Sequence, residues 1–141
     1  MKILLIGASG MVGQRVLAEA ISRGHEVLAA ARNVDRIPVE AGITPLVLDA
    51  NDPEAIVRQA GPVDVIVSAV SPRGGGDPVV EATTVGSALI DAATRTGKRL
   101  FVVGGAGSLT LPDGSPVAET LPDLYRGEAL GMRAVRDALA L

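Results

Sequence analysis

Short apolar segments alternate along this chain with longer amphipathic ones, and this alternation limits the possible folds more than any other feature. Strands that alternate with helices pair in parallel through right-handed crossovers. The pattern therefore predicts an α/β fold: a doubly wound parallel sheet with strand order 3-2-1-4-5 and helices on both faces. Five segments have the length and apolar character of strands buried on both faces: residues 3–6, 27–31, 46–48, 63–68 and 99–103.

Aspartate, proline and glycine residues predict where the helices begin and end. Asp52 and Asp77 each precede a proline, a combination that favours a helix N-terminus. Gly24 follows the first helical pattern as a left-handed stop. The resulting helices cover residues 11–23, 53–60, 78–96 and 125–141.

Two segments are expected to lack regular helices or long strands. Residues 33–43 contain Pro38 and Gly42, so only a short helical turn is predicted there. Residues 109–111 and 116–118 flank Asp113-Gly114, which predicts a small β-hairpin.

Composition excludes several classes of function. With 141 residues, 48% of them hydrophobic and 21% charged, the chain suits one globular domain over residues 1–141. A net charge of −3 and only two aromatic residues argue against nucleic-acid partners and anionic membranes. The absence of cysteine and the single histidine leave no expected metal site. No apolar run reaches the ~20 residues of a membrane span, so a cytoplasmic location is expected.

A glycine-rich turn directly after the first strand gives the clearest functional signal. Glycine suits a tight turn at 7, close backbone approach to a pyrophosphate at 10, and helix–strand packing at 13. The free N–H groups and the positive helix end would face the phosphates. The turn predicts a dinucleotide-binding Rossmann domain, with a turn that binds no ligand as the alternative. The predicted contacts are Gly7, Ser9, Gly10, Met11, Val12 and Gly13.

The end of the second strand bears on which cofactor would bind. An acidic residue there normally holds the ribose 2′-hydroxyl, but this chain has Arg32. A guanidinium suits a 2′-phosphate through paired hydrogen bonds. The sequence therefore favours NADP(H) over NAD(H). The alternatives for Arg32 are a solvated loop position and stacking on adenine without selectivity.

The third and fourth strand ends supply further candidate contacts. Asp49, followed by Ala50, would lie beside the adenine, where a carboxylate can accept from an amino group. Turn formation is an equally weighted alternative for Asp49. Ser68, Ala69 and Val70 lie beside the point where such sheets bind ligands, and their small size leaves space for ribose and nicotinamide.

These motifs together resemble the atypical short-chain dehydrogenase/reductase superfamily, in particular its NAD(P)H-binding, NmrA-like branch of NADH-flavin reductases. The resemblance implies an NAD(P)H-dependent oxidoreductase with a small-molecule acceptor of flavin or quinone type, in which the protein mainly orients the cofactor. Members of this branch are usually longer, so the part that covers the substrate is expected to be missing. The resemblance spans essentially the whole chain and rests on residues 7–13, 24–27, 31–33, 48–49, 67–69 and 102–109.

The sequence departs from the superfamily pattern at the catalytic signature. Tyr125 matches the tyrosine of Tyr-x-x-x-Lys, but Ala129 occupies the position of the lysine that would lower the tyrosine pKa. Carbonyl reduction by a Tyr-Lys pair is therefore not expected. Ser108 and Tyr125 remain the candidate catalytic hydroxyls. Each has a structural alternative, as a loop serine and as a tyrosine that holds the last helix.

Two other functions stay open at this point. A non-catalytic NADP(H) sensor of NmrA type is compatible with the missing lysine. A sugar-nucleotide epimerase or dehydratase is less favoured, because it needs the Tyr-Lys pair and a substrate domain. The fifth strand is expected to have an open edge, which suggests a homodimer.

Overall fold

The computed structural model describes all 141 residues. Two short 3-10 helices, Ala106–Ser108 and Val117–Thr120, accompany the regular elements. The strands and α-helices are, in chain order, β1 (Lys2–Ile6), α1 (Met11–Ser22), β2 (Glu26–Ala31), β3 (Ile43–Val47), α2 (Pro53–Ala60), β4 (Val65–Ser68), α3 (Pro78–Thr96), β5 (Arg99–Val102) and α4 (Asp123–Leu139).

The five strands form one parallel sheet in the order β3-β2-β1-β4-β5, which confirms the predicted fold class. At the carboxyl end of β1, Ile6 pairs with Ala30 of β2 on one side and with Ser68 of β4 on the other. The strand order reverses between β1 and β4. Doubly wound sheets bind their ligands at this kind of reversal.

Both faces of the central strands are buried. On one face Ile3 and Leu5 of β1 pack with Leu17 and Ala20 of α1 in a hydrophobic cluster. Leu4 points to the opposite face and is also fully buried. Right-handed crossovers place α1 on the first face and α2 and the later part of α3 on the second.

The helix ends follow the predicted capping residues. The Asp52 carboxylate accepts a hydrogen bond from the N–H of Ala55 at 3.1 Å, and Asp77 accepts one from Val79 at 2.8 Å. The predicted bounds of α2 and α3 are therefore confirmed. Helix α1 ends one residue before the predicted bound, and Gly24 follows with φ +77°.

All five strands differ slightly from the prediction. Strands β1 and β2 each begin one residue early, at Lys2 and Glu26, and β3 ends one residue early, at Val47. Strand β3 begins at Ile43 rather than 46, because Pro45 lies on the outer edge, where a missing N–H costs no pairing. Strand β4 begins at Val65 rather than 63, because the Asp64 carboxylate accepts from the N–H of Lys2 at 2.7 Å. Strand β5 ends one residue early, at Val102.

The predicted hairpin is only partly correct. One antiparallel bridge joins Thr110 to Pro116, and Leu111 donates its N–H to the carbonyl of Ser115. Beyond Pro116 the predicted second strand is wrong, because the chain turns into the 3-10 helix Val117–Thr120. Residues 33–42 form no regular helix, only turns and irregular backbone, which agrees with the prediction of a short helical turn at most, while Ile43 already belongs to β3.

The chain divides into two compact units. The first unit comprises Met1–Val70 and Ala88–Val103 and contains the whole sheet. The second comprises Ser71–Ser87 and Gly104–Leu141. In it, α4 lies against the start of α3, since a Cβ on Gly131 would be only 2.8 Å from the carbonyl oxygen of Pro78. None of the helices combines the length and apolar character needed to cross a bilayer.

Candidate functional site

The turn between β1 and α1 contains two glycines that the protein's own packing requires. Gly7 has φ +87°, and a Cβ there would lie 2.8 Å from the carbonyl oxygen of Ala69. A Cβ on Gly13 would lie 1.9 Å from the carbonyl oxygen of Gly7. These contacts agree with the predicted tight turn at 7 and the close packing at 13.

Gly10 has no such internal constraint. A Cβ at this position would lie 3.5 Å from the nearest atom, an ordinary contact, and the backbone conformation is extended. Gly10 is exposed at the N-cap of α1. Its lack of a side chain therefore leaves room on the outside of the turn, where the sequence predicts a pyrophosphate.

Several N–H groups of the turn are unpaired. Gly7 and Ala8 both donate to the carbonyl oxygen of Ala30, at 2.9 and 3.0 Å, which ties the turn to the end of β2. The N–H groups of the residues on either side of Gly10 have no acceptor in the protein; they belong to Ser9, Met11 and Val12. The turn thus presents free donors around an open glycine.

Helix α1 also differs from α2 and α3 because no side chain offsets the free N–H groups and the positive dipole at its N-terminus. No side chain caps α1, and its first turn has no acidic residue. Helix α2 has the Asp52 cap and Glu54, and α3 has the Asp77 cap and Glu81. The uncompensated donors and dipole of α1 form an environment that favours an anion.

Apolar side chains surround these donors. Met11 is 67% exposed and Val12 is 40% exposed on the first turn of α1. Neither belongs to the hydrophobic cluster that α1 forms with the sheet. They offer apolar surface that a bound organic molecule could cover, beside the groups that suit its phosphates.

Arg32 directly follows β2 at the same edge of the sheet. The end of β3 is held beside the end of β2, because Leu48 donates its N–H to the carbonyl of Ala31 at 3.0 Å. Arg32 is exposed and takes part in none of the ion pairs of the chain. Arg36 on the same loop is equally exposed and unpaired, a residue that the sequence interpretation missed although the spacing Arg-x-x-x-Arg was visible.

Asp49 forms a turn, which is the alternative that the sequence leaves open to contact with an adenine. Its Oδ1 accepts hydrogen bonds from the backbone N–H and side-chain amide of Asn51, at 2.9 and 3.0 Å. The carbonyl of Asp49 accepts the N–H of Asp52. Asp49 is exposed, while Ala50 is buried. Contact of either residue with an adenine stays a prediction.

The end of β4 lies against the glycine turn, and its contact with a cofactor stays a prediction. Ala69 and Val70 are half-buried and would both be touched by a Cβ on Gly7. Ser68, the last residue of β4, is only 1% exposed. Its carbonyl accepts a hydrogen bond from the N–H of Val103. The structure therefore brings Gly7, Ala69 and Val70 together at the reversal of the strand order.

The two candidate catalytic hydroxyls belong to the second unit. The Ser108 Oγ is buried and has no hydrogen-bond partner in the protein, while the Ser108 carbonyl accepts from the Arg136 guanidinium. Tyr125 is 57% exposed in the first turn of α4. The catalytic role of each stays a prediction.

Packing explains the missing lysine of the superfamily signature. Ala129 lies one turn after Tyr125 and is buried. A Cβ on Gly107 would be 2.5 Å from the Cβ of Ala129, so the 3-10 helix Ala106–Ser108 lies directly on this position. A lysine side chain at 129 would not fit there without displacing that segment.

Comparison with known proteins identifies the family. The model of the NAD(P)H-binding family matches residues 7–138. An uncharacterised Bacillus subtilis protein, YwnB, is 39% identical over 110 residues, which cover 77% of this chain and 49% of that protein. A 3-diazoavenalumate denitrifying reductase from a Streptomyces species is 31% identical over 153 residues, covering 97% and 50% of the two chains.

A solved structure from Streptococcus pneumoniae supports the same grouping. It was provisionally named an NADH-flavin reductase and is 25% identical, with a TM-score of 0.80 over 99% of this chain and 65% of its own. The chain belongs to the NAD(P)H-binding family, which confirms its resemblance to atypical, NmrA-like short-chain dehydrogenases/reductases. It spans about half the length of these two curated relatives.

Proposed function

We propose that the chain binds NADPH on the β1–α1 turn and transfers its hydride to a small acceptor of flavin or quinone type. The observation that carries this proposal is the uncapped N-terminus of α1, with unpaired N–H groups around an open Gly10. Membership of the NAD(P)H-binding family makes a dinucleotide the natural anion for this site.

The turn residues would hold the pyrophosphate. The N–H groups of Ser9, Met11 and Val12 would donate to its oxygens, and the dipole of α1 would favour its charge. The absence of a side chain at Gly10 lets the phosphates approach the backbone. Exposed Met11 would cover part of the apolar surface of the cofactor.

The loop after β2 would select the phosphorylated cofactor. Arg32 and Arg36 are two exposed guanidinium groups without ion-pair partners, and neither Asp nor Glu follows β2 directly. A 2′-phosphate would gain charge-assisted hydrogen bonds there, whereas a 2′-hydroxyl would find no carboxylate to accept its hydrogen bond. NADPH is therefore expected to bind more tightly than NADH.

The proposed chemistry needs little from the side chains. NADPH supplies a hydride, the acceptor takes the hydride with a solvent proton, and NADP⁺ remains. The protein would orient the nicotinamide beside Ala69 and Val70, at the end of β4. The provisional name of the pneumococcal protein, an NADH-flavin reductase, supports an acceptor of this type, and the Streptomyces relative is also named a reductase.

A specific observation favours a second candidate, an NADP(H) sensor without turnover. The packing of Ala129 against Gly107 leaves no place for the lysine of a Tyr-Lys pair. Such a protein would bind the cofactor through the same turn but would not oxidise it. The sensor and the reductase therefore differ in turnover and not in binding.

NADPH oxidation by the purified chain with FMN, and separately with a soluble quinone, tests the proposal under anaerobic conditions. The matched variant is Gly10→Asp. Aspartate is a favoured N-cap, so the fold should keep its stability, while the carboxylate would repel the pyrophosphate. We expect acceptor-dependent loss of NADPH absorbance that falls at least tenfold in Gly10→Asp.

Other outcomes would change the assignment. NADPH binding without oxidation by either acceptor would favour the sensor. Oxidation that is unchanged in a folded Gly10→Asp variant would contradict the site itself.

A further inference from the structure

Gln14, in the first turn of α1, donates hydrogen bonds to two successive carbonyl groups of the β1–α1 turn. Its backbone N–H binds the carbonyl oxygen of Gly10 at 2.9 Å, a bond of the kind that begins any α-helix. Its side-chain Nε2 donates to the carbonyl oxygen of Ser9 at 3.1 Å. The second bond depends on the glutamine side chain, so it is a feature of this sequence rather than of helices in general.

The peptide group between Ser9 and Gly10 is therefore held at both ends. Its carbonyl accepts from Gln14, and its N–H donates to the carbonyl oxygen of Gly7 at 3.2 Å. This peptide lies between two N–H groups without an acceptor in the protein, those of Ser9 and Met11. The backbone torsions on its two sides set the relative orientation of these free donors. A restraint on this peptide is thus a restraint on the donors.

The glycine at position 10 makes such a restraint necessary. Gly10 has φ −79°, but a residue without a Cβ enters positive φ about as readily as negative φ. The bond from Gly10 to Gly7, at 3.2 Å, lies at the long limit for an N–H···O hydrogen bond. The open glycine that leaves room for a phosphate therefore also loosens the turn, and the side chain of Gln14 offsets that freedom.

We propose that Gln14 is a positioning residue of the anion-binding turn: its side-chain amide fixes the Ser9–Gly10 peptide, so that the N–H groups of Ser9 and Met11 are already oriented for a pyrophosphate. This inference rests on the proposed function. Groups that are oriented before binding lose less conformational freedom when the ligand arrives, which raises the affinity. NADPH and NADH share the pyrophosphate, so Gln14 should strengthen the binding of both without affecting the preference between them.

Gln14→Met tests the role of the amide, because methionine has a similar length and no charge but cannot donate a hydrogen bond. Gln14 is exposed, so the variant should fold. We expect the dissociation constants of NADPH, NADH and inorganic pyrophosphate each to rise by about threefold to tenfold, the effect of losing one hydrogen bond. The matched control is Ser22→Ala, which removes a side-chain bond to the carbonyl of Glu19 at the other end of α1 and should change none of these constants.

Amide hydrogen exchange at residue 10, followed by NMR, measures the restraint without a ligand. Exchange should be about threefold faster or more in Gln14→Met than in the unsubstituted chain. Alanine at position 10 disfavours positive φ, so Gln14→Met should change the exchange rate much less when it is combined with Gly10→Ala. A glutamine that merely stabilised α1 would not show this dependence on residue 10.

Inorganic pyrophosphate, followed through the amide signals of Ser9, Met11 and Val12, separates this inference from the proposed function. Shifts of these signals in both the unsubstituted chain and Gln14→Met, with equal affinity, would keep the site and overturn the role of Gln14. An effect of Gln14→Met on exchange that persists fully in the Gly10→Ala background would also overturn that role. No shift and no cofactor binding in the unsubstituted chain would overturn the proposed function and, with it, the assignment of Gln14.

Discussion

The three glycines of the β1–α1 turn have different physical reasons for lacking a side chain. Gly7 and Gly13 are required by contacts within the protein, with Cβ positions 2.8 and 1.9 Å from carbonyl oxygens. Gly10 has free space around its Cβ position. A motif that looks uniform in sequence thus combines two glycines that internal packing requires with one that it does not require.

This difference predicts losses of very different size for two alanine substitutions. Gly13→Ala should lower the free energy of unfolding by about 2–4 kcal/mol or prevent folding, because its Cβ overlaps the Gly7 carbonyl. Gly10→Ala should cost less than about 1 kcal/mol, since alanine is merely a poorer N-cap than glycine. Urea unfolding of both variants measures the effect. Equal losses would contradict the distinction.

At the scale of the elements, an ion pair joins the first turn of α2 to the last turn of α3. The Arg95 guanidinium contacts both carboxylate oxygens of Glu54, at 2.5 and 3.0 Å, and also Asp91. Hydrogen bonds from Arg95 lower the pKa of Glu54 below its ordinary value of 4.5. Since both groups are exposed, the pair is expected to stabilise the fold only slightly.

The pH dependence of this stabilisation has a definite sign. A carboxyl group with a lowered pKa in the folded state contributes stability above its unfolded value, and the contribution disappears as pH falls through the folded value. Glu54→Gln should therefore lower the Tm slightly at pH 7, and this difference should vanish on acidification below pH 4.5.

Thermal unfolding across this pH range, with Glu119→Gln as control, checks the effect of the ion pair. Glu119 is exposed and forms no ion pair. A Glu54→Gln difference that grows on acidification would contradict the assignment.

Local signals were enough to predict most elements from sequence. The Asp-Pro pairs fix the starts of α2 and α3, because a cap and a first-turn proline act within a few residues. Strand β3 was misplaced because a proline in a strand is acceptable only on an outer edge, and edge position depends on the whole sheet. The 3-10 helix after Pro116 was missed because hydrophobic periodicity does not report such short turns.

The site was predictable to a similar extent. The glycine turn follows from spacing, whereas the unpaired N–H groups around it follow from the absence of a cap on α1, which depends on the folded geometry. Arg36 was missed because it lies in a loop without periodicity. The buried Ser108 Oγ could not be foreseen, since its burial depends on non-local packing.

At the scale of the whole molecule, the sheet and the proposed cofactor-binding turn belong to one unit, while Ser108 and Tyr125 belong to the other. The first unit contains the predicted features of nucleotide binding: the glycine turn, the β4 end and Arg32. The affinity for the cofactor can therefore be measured without knowing which acceptor the protein uses. NADPH binding on the β1–α1 turn is the central claim.

Titration of the purified chain with NADPH and with NADH, followed by nicotinamide fluorescence, tests that claim most directly. We expect NADPH to bind more tightly than NADH. Gly10→Asp should weaken both cofactors, while Arg32→Ala should remove most of the preference, worth about 1–3 kcal/mol for a charge-assisted pair, and leave NADH binding unchanged. Binding of neither cofactor, or a preference for NADH that Arg32→Ala does not alter, would contradict it.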